Sequence, residues 1–112
     1  MSEEKLQSAT AKLLDHTGLI WCHPPNGGLR NVVVAKKLKG QGVKAGVPDV
    51  LIFNPTGILS GVAIELKVGR NKPSELQQEW IQNLTACNWA TAVCRSIDEV
   101  IEVVRHYYPK HL

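Results

Sequence analysis

Two acidic residues and a lysine lie beside two short apolar runs, and their types and spacing suit metal chemistry. Asp49 precedes the apolar residues 50–53, and Glu65 and Lys67 lie within the run 62–68. Alternate residues of a β-strand point to the same face, so a strand over the second run places Glu65 and Lys67 together. Carboxylate oxygens are ligands that Mg²⁺ accepts, and a neighbouring lysine can stabilise negative charge that develops during phosphoryl chemistry.

Spacing alone leaves a simpler interpretation open. A glutamate two residues before a lysine is common by chance, so the pair could be an exposed strand pair with Asp49 as a turn residue. In the catalytic interpretation, a metal held by the two carboxylates acidifies a bound water and polarises a phosphoryl oxygen. The backbone carbonyl of Leu66, between Glu65 and Lys67, is a further oxygen donor.

The elements that must position these residues follow an αβ(α)ββαβα order. Periodicity and turn residues predict helices over residues 2–17 and 31–40, helices starting at 74 and 96, and strands over 19–22, 49–53, 61–68 and 89–94. The turn sequence at residues 54–57 predicts an antiparallel hairpin between the second and third strands. The predicted fold class is therefore α/β, with a small mixed β-sheet flanked by helices and a restriction-endonuclease-like order, in a single domain of residues 1–112.

Caps and apolar stripes define the helices and the core. Ser2 and Ser74 are predicted N-caps, Gln77 completes a capping box with Ser74, and Gly18 ends the first helix. The predicted core contains the apolar residues Val50, Leu51, Ile52, Ile64, Leu66, Trp80, Ala92, Val93, Val100 and Ile101.

Composition favours an ordinary cytoplasmic globular domain. The 112 residues are 44% hydrophobic and 21% charged, which argues against disorder over the whole chain. No apolar run approaches the roughly 20 residues of a membrane helix, and the acidic N-terminus does not resemble a secretory signal. The cysteines at positions 22, 87 and 94 are too widely spaced to favour zinc or a disulfide framework, and each is expected to be a buried small hydrophobe.

A basic segment stands before Asp49. The formal net charge is +3, and Arg30, Lys36, Lys37, Lys39 and Lys44 fall within fifteen residues that contain no acid. Two interpretations are equally supported by charge: a solvated helix face, or a patch that contacts DNA phosphates.

Residues across nearly the whole chain carry a resemblance to one nuclease family. The sequence Pro48-Asp49, followed after a hairpin by Glu65-Leu66-Lys67, resembles the PD-(D/E)XK motif of the restriction-endonuclease-like nucleases. The match is closer to the VRR-NUC family (virus-type replication-repair nuclease), especially its short stand-alone phage and bacterial members. Further similar blocks are Glu4 with Gln7, the loop 23–28, the stretch 42–49, Gln77 with Trp80, and residues 92–95. Their order and compatible spacing make the resemblance specific.

This resemblance implies a Mg²⁺- or Mn²⁺-dependent endodeoxyribonuclease that hydrolyses phosphodiester bonds. Asp49 and Glu65 would bind the metal together with the backbone carbonyl of Leu66, and Lys67 would position or activate the attacking water. Glu4 matches the first-helix acid of the family and would contact the metal directly or through water.

Three of the site assignments have competing interpretations. Glu3 is adjacent to Glu4 and equally suited to the first helical turn. Gln77 matches a residue near the catalytic site of the family, but it could also serve only as the capping partner of Ser74. His23 is expected to be structural or a phosphate contact rather than a general base.

The resemblance also implies partners. Short stand-alone VRR-NUC proteins form homodimers and favour branched DNA such as four-way (Holliday) junctions. No membrane partner is expected, because no apolar run is long enough for a membrane helix. Asn26 joins the basic segment as a DNA-binding candidate. The alternatives are a nuclease-fold module that binds DNA structures with little or no cleavage, a nuclease for flaps or linear DNA, and a small α/β interaction protein with chance motifs.

Overall fold

The computed structural model, which describes residues 1–25 and 32–112, contains four helices and four strands in those ranges. Within this described part the elements are α1 Glu3–Thr17, β1 Trp21–Cys22, α2 Val32–Gly40, β2 Val50–Ile52, β3 Gly61–Leu66, α3 Glu75–Ala86, β4 Trp89–Cys94 and α4 Ile97–Tyr107. The predicted order and fold class are confirmed. The first three strands are shorter than predicted, and β4 begins and ends at the predicted residues.

The sheet is mixed, in the order β1-β2-β3-β4. Strand β2 pairs antiparallel with β3, with Val50 opposite Ile64, as the predicted hairpin requires. Strand β3 pairs parallel with β4, with Leu66 opposite Cys94, and α3 is the helix of that crossover. The start of β2 therefore lies beside the end of β3, which is where the charged residues of the sequence fall.

One face of the sheet packs against α1 and α4. Alternate strand residues such as Ile52, Ile64 and Leu66 join Leu6 of α1 and Val100 of α4 in a core whose members are almost completely buried. Burying a side chain of this size contributes about 1.5–3 kcal/mol, so this face supplies much of the stability that holds the sheet together.

The opposite face is less covered, and here the predicted core is partly wrong. Val93 is 36% exposed, because it lies opposite Glu65 on the face away from α1 and α4. Trp80 of α3 is half-buried, and its indole N–H donates to the carbonyl of Ala45 at 3.1 Å. The burial predicted for the cysteines holds for Cys94 alone, since Cys22 and Cys87 are exposed.

Local capping explains where α1 begins and ends. The side chain of Ser2 accepts a hydrogen bond from the backbone N–H of Lys5, and Gly18 adopts the left-handed conformation at the C-cap.

None of the helices in the two described ranges combines the length and the apolar character needed to span a bilayer.

The segment before Asp49 is fixed against α3 by a glycine. Gly46 has a φ of 89°, and a Cβ atom at this position would lie 2.8 Å from the backbone carbonyl carbon of Leu76. Only a residue without a side chain permits this approach, so Gly46 and the indole bond of Trp80 together hold the segment that leads into Asp49.

Replacing Gly46 with alanine should therefore destabilise the protein by clearly more than the replacement of Gly42 with alanine. Both positions have left-handed φ angles, for which a Cβ costs about 1–2 kcal/mol, but a Cβ at Gly42 meets no atom within 4 Å. Urea unfolding of the two variants measures the difference. Equal losses of unfolding free energy would show that the approach to Leu76 is unimportant.

Candidate functional site

Asp49, Glu65 and Lys67 come together at one end of the sheet. The Asp49 carboxylate accepts a hydrogen bond from the backbone N–H of Leu66 at 2.8 Å, which ties the start of β2 to the end of β3. The Lys67 ammonium lies 3.4 Å from the Glu65 carboxylate. The antiparallel hairpin thus brings Asp49, from the start of one strand, to the end of the other, where Glu65 and Lys67 lie.

A third carboxylate reaches this place from the first turn of α1. One carboxylate oxygen each from Glu3, Asp49 and Glu65 lies within 4.8 Å of the others, so these residues could hold a metal ion. Glu3 also lies 3.9 Å from the Lys67 ammonium. The structure therefore brings Glu3 into the acidic group, and Glu4, the residue proposed from the sequence, lines the adjoining cleft.

The cleft beside the acidic group has a volume of about 300 Å³. Its lining comes from α1, the segment after β1 and the ends of the hairpin strands: Glu3, Glu4, Gln7, Ser8, His23, Asp49 and Leu66.

Two lining residues of the cleft have polar atoms that bear on the site. The His23 Nδ1 atom lies 2.6 Å from the backbone oxygen of Asp49, and because a carbonyl only accepts, Nδ1 carries the hydrogen. His23 therefore holds the backbone at Asp49. The buried amide nitrogen of Gln7 has no hydrogen-bond partner among the described residues, so it leaves a donor beside the cleft.

Glu65 is the most unusual ionisable group of the site. It is 1% exposed, and its Oε1 atom has no hydrogen-bond partner within the described ranges. The pKa of Glu65 is raised to about 8, chiefly by burial and also by the nearby Asp49 carboxylate, against the opposing effect of the Lys67 ammonium. When Glu65 is ionised, three carboxylates face one ammonium, so a divalent cation would both balance the charge and give the Glu65 Oε1 atom a partner.

Comparisons with known proteins give the family. The family model for the VRR-NUC domain matches residues 1–98 of the 112. The chain belongs to the VRR-NUC family. A solved structure described as a VRR_NUC domain protein is similar over 97% of this chain and 89% of that one, with 27% sequence identity and a TM-score of 0.79. A search of curated proteins finds no match.

Membership in the VRR-NUC family confirms the resemblance expected from the sequence and indicates a nuclease-type function in DNA processing.

Gln77 takes part in both arrangements that the sequence left open. Its side-chain oxygen accepts from the backbone N–H of Ser74 at 2.8 Å, and the Ser74 hydroxyl accepts from the backbone N–H of Gln77, which completes the capping box. Its side-chain nitrogen donates to Glu65 at 3.1 Å. A single amide therefore caps α3 and holds the buried carboxylate.

Substituting alanine for Gln77 should slow cleavage by about tenfold, whereas alanine at Ser74 should leave the rate near that of the wild type. Each change removes part of the cap, which costs about 1 kcal/mol, but only the change at Gln77 removes the donor to Glu65. Melting temperatures and single-turnover cleavage rates separate the two effects. Equal rates in the two variants would limit Gln77 to its capping role.

The predicted DNA-binding residues lie apart from this group in the sequence. Lys36, Lys37 and Lys39 are exposed on α2, and Lys44 is exposed in the segment after it. Helix α2 has no buried residue, which leaves its lysines accessible to a polyanion. Arg30 and Asn26 lie outside the described residues.

Proposed function

We propose that this chain is a Mg²⁺- or Mn²⁺-dependent endodeoxyribonuclease that hydrolyses phosphodiester bonds, with branched DNA such as four-way junctions as its preferred substrate. The observation that carries the proposal is the convergence of the Glu3, Asp49 and Glu65 carboxylates beside the Lys67 ammonium. Family membership supports the nuclease class and DNA as the substrate.

The acidic group fits a metal by its donors. Asp49 and Glu65 are proposed as ligands, with Glu3 as a third carboxylate and the backbone carbonyl of Leu66 as a further oxygen donor. Hard oxygen donors of this kind suit Mg²⁺ and Mn²⁺. When bound, the ion supplies Lewis-acid polarisation of the phosphoryl oxygen and makes water a stronger acid. Glu4, which lines the cleft, is proposed to act through a water molecule.

Lys67 is proposed to supply a positive charge from the protein to the reacting phosphate. Its side chain is only 12% exposed and is held by the carboxylates of Glu65 and Glu3, so its position is fixed before substrate arrives. In this partly dry setting, the ammonium is proposed to orient the attacking water and to stabilise negative charge that develops on the phosphoryl oxygens. The side-chain nitrogen of Gln77 donates a hydrogen bond to the Glu65 carboxylate and so keeps that carboxylate in place.

A homodimer is proposed from the family resemblance, and the less covered face of the sheet supports it. Exposed apolar side chains on or beside this face include Phe53, Leu76 and Val93, and the Phe53 ring meets the Trp89 ring edge-on at 5.7 Å. Exposed apolar surface of this kind favours a protein partner. A two-fold dimer presents two equivalent sites, which suits paired cuts across a four-way junction.

Labelled single-stranded, duplex, flap and four-way DNAs, each incubated with and without Mg²⁺ or Mn²⁺, test the proposal. We expect metal-dependent endonucleolytic cleavage that is fastest on the four-way substrate, by a species that sediments as a dimer. Cleavage that is faster on flaps or linear DNA would contradict the junction preference alone. Binding to four-way DNA with no cleavage in either metal would contradict the nuclease and favour the DNA-structure binding module.

A further inference from the structure

The loop between β3 and α3 is basic, exposed and bordered by two residues of the acidic site. We call residues 69–72 the basic loop; Arg70 and Lys72 are its cations, and all four residues are exposed. Lys67 precedes the loop and Gln77 follows it, and both contact the same oxygen of Glu65, at 3.4 and 3.1 Å. The residues that flank the loop therefore both contact the acidic site, and the chain that contains the loop leaves that site at Lys67 and returns to it at Gln77.

Arg95 holds the basic loop from the neighbouring strand. Its guanidinium donates to the backbone carbonyl of Gly69 at 3.0 Å and to that of Asn71 at 2.7 Å. The backbone N–H of Asn71 donates to the carbonyl of Val68 at 3.2 Å, which closes a turn within the loop. The loop is thus an ordered structure anchored to the end of β4.

The two loop cations have no acidic partner within residues 1–25 and 32–112. Arg70 is three residues and Lys72 five residues from Lys67, so their Cα atoms lie within about 11 and about 18 Å of that of Lys67. One strand of duplex DNA carries a phosphate every 3.4 Å or so along its axis. The loop cations therefore reach phosphates within a few nucleotides of the one at the acidic site.

We infer that the basic loop binds the DNA backbone beside the phosphate that is cleaved, and that Arg95 is the positioning residue that holds this loop. The inference rests on the proposed nuclease function and assigns it a DNA contact separate from α2. The chemistry recognised is the phosphate backbone, which carries no sequence information, so the loop contributes affinity and alignment to any DNA substrate. The simpler alternative is a loop whose cations are only solvated.

Salt dependence of binding distinguishes the two. In a Lys67→Met background, with a chelator present so that metal-dependent cleavage does not occur during the measurement, the double variant Arg70→Gln/Lys72→Gln should lower the slope of log K against log salt by about 1–2 on duplex DNA.

The matched control is Lys12→Gln/Lys110→Gln in the same background, which removes the same charge and should leave the slope unchanged. Lys12 is nine residues along α1 from Glu3, about 13 Å by helical rise. Lys110 follows Tyr108, whose hydroxyl bonds to Asn54 beyond the far end of β2. A slope for the loop variant equal to that of the control overturns the inference.

Arg95→Met tests the positioning role with the loop cations still present. We expect KM for DNA to rise about fivefold with kcat unchanged. Without Arg95 the free loop is less ordered, so DNA binding must then also order the loop, at a cost in conformational entropy. A fall in kcat with unchanged KM, or no change in either, contradicts this role. If wild-type protein cleaves no DNA, the nuclease proposal fails; if it cleaves and the loop variant binds as the control does, only the loop inference fails.

Discussion

Replacement of Lys67 with methionine should lower kcat for metal-dependent DNA cleavage by at least about a hundredfold, with little change in KM. Methionine keeps much of the length of the side chain and removes the ammonium that lies 3.4 Å from Glu65 and 3.9 Å from Glu3. Loss of one preorganised donor at a site of developing charge typically lowers kcat by about 10²–10³. The effect is expected on kcat because the Lys67 side chain, only 12% exposed, contacts carboxylates in the resting protein and is proposed to act on charge that develops during the reaction.

The control for this experiment is Lys12→Met, an equal change at an exposed position of α1. Circular dichroism at the assay temperature verifies that both variants are folded. A Lys67→Met enzyme that cleaves as fast as the Lys12→Met enzyme would remove Lys67 from the proposed mechanism and leave the acidic group without its cation in catalysis.

Metal-free protein should lose stability as the pH rises from about 5 to about 8, and Glu65→Gln should abolish most of that loss. The pKa of Glu65 is raised from its ordinary value of 4.5 to about 8, first by burial and then by Asp49. The folded state therefore holds the proton more tightly than the unfolded state, so this contribution is complete below pH 4.5 and is lost as the pH rises through 8. The unfolding free energy falls by up to about 1.4 kcal/mol per pH unit within that window.

Thermal unfolding in a chelator, at several pH values, measures this slope for the wild type, Glu65→Gln and the exposed control Glu102→Gln. At pH 8 we expect Glu65→Gln to melt above the wild type, because an amide carries no charge to bury. Addition of Mg²⁺ or Mn²⁺ should then raise the melting temperature of the wild type and of Glu102→Gln but hardly that of Glu65→Gln. A wild-type protein with the same slope as Glu65→Gln, or an equal metal response in both, would contradict the role assigned to Glu65.

The parts of the fold that sequence predicts well are those set by local rules. Strand β4 and the caps of α1 and α3 follow from short patterns, and the structure has them where those patterns place them. The meeting of Asp49 with Glu65 could also be foreseen, because a short turn forces two runs into an antiparallel pair and fixes which ends are adjacent.

The features that the sequence could not predict are those that depend on how the helices pack against the sheet. Successive residues on a helix point about 100° apart, so the choice between Glu3 and Glu4 requires the rotation of α1 against the sheet. Val93 has the composition of a core residue, but its exposure depends on how much of that sheet face α3 covers. The sequence offered two alternative roles for Gln77, and that one side chain fills both could not be predicted, because this depends on the distance from α3 to Glu65.

The complete burial of strand β3 has a consequence for how its sequence can evolve. All six of its residues are buried, and Glu65 is the only charged one among them. A leucine or methionine there would remove an ionisable group from an apolar strand, so natural selection for folding alone favours the change and selection for metal-dependent chemistry opposes it. Relatives that have lost catalytic activity should therefore carry an apolar residue at this position while keeping the fold. The identity of that one residue should distinguish active from inactive family members.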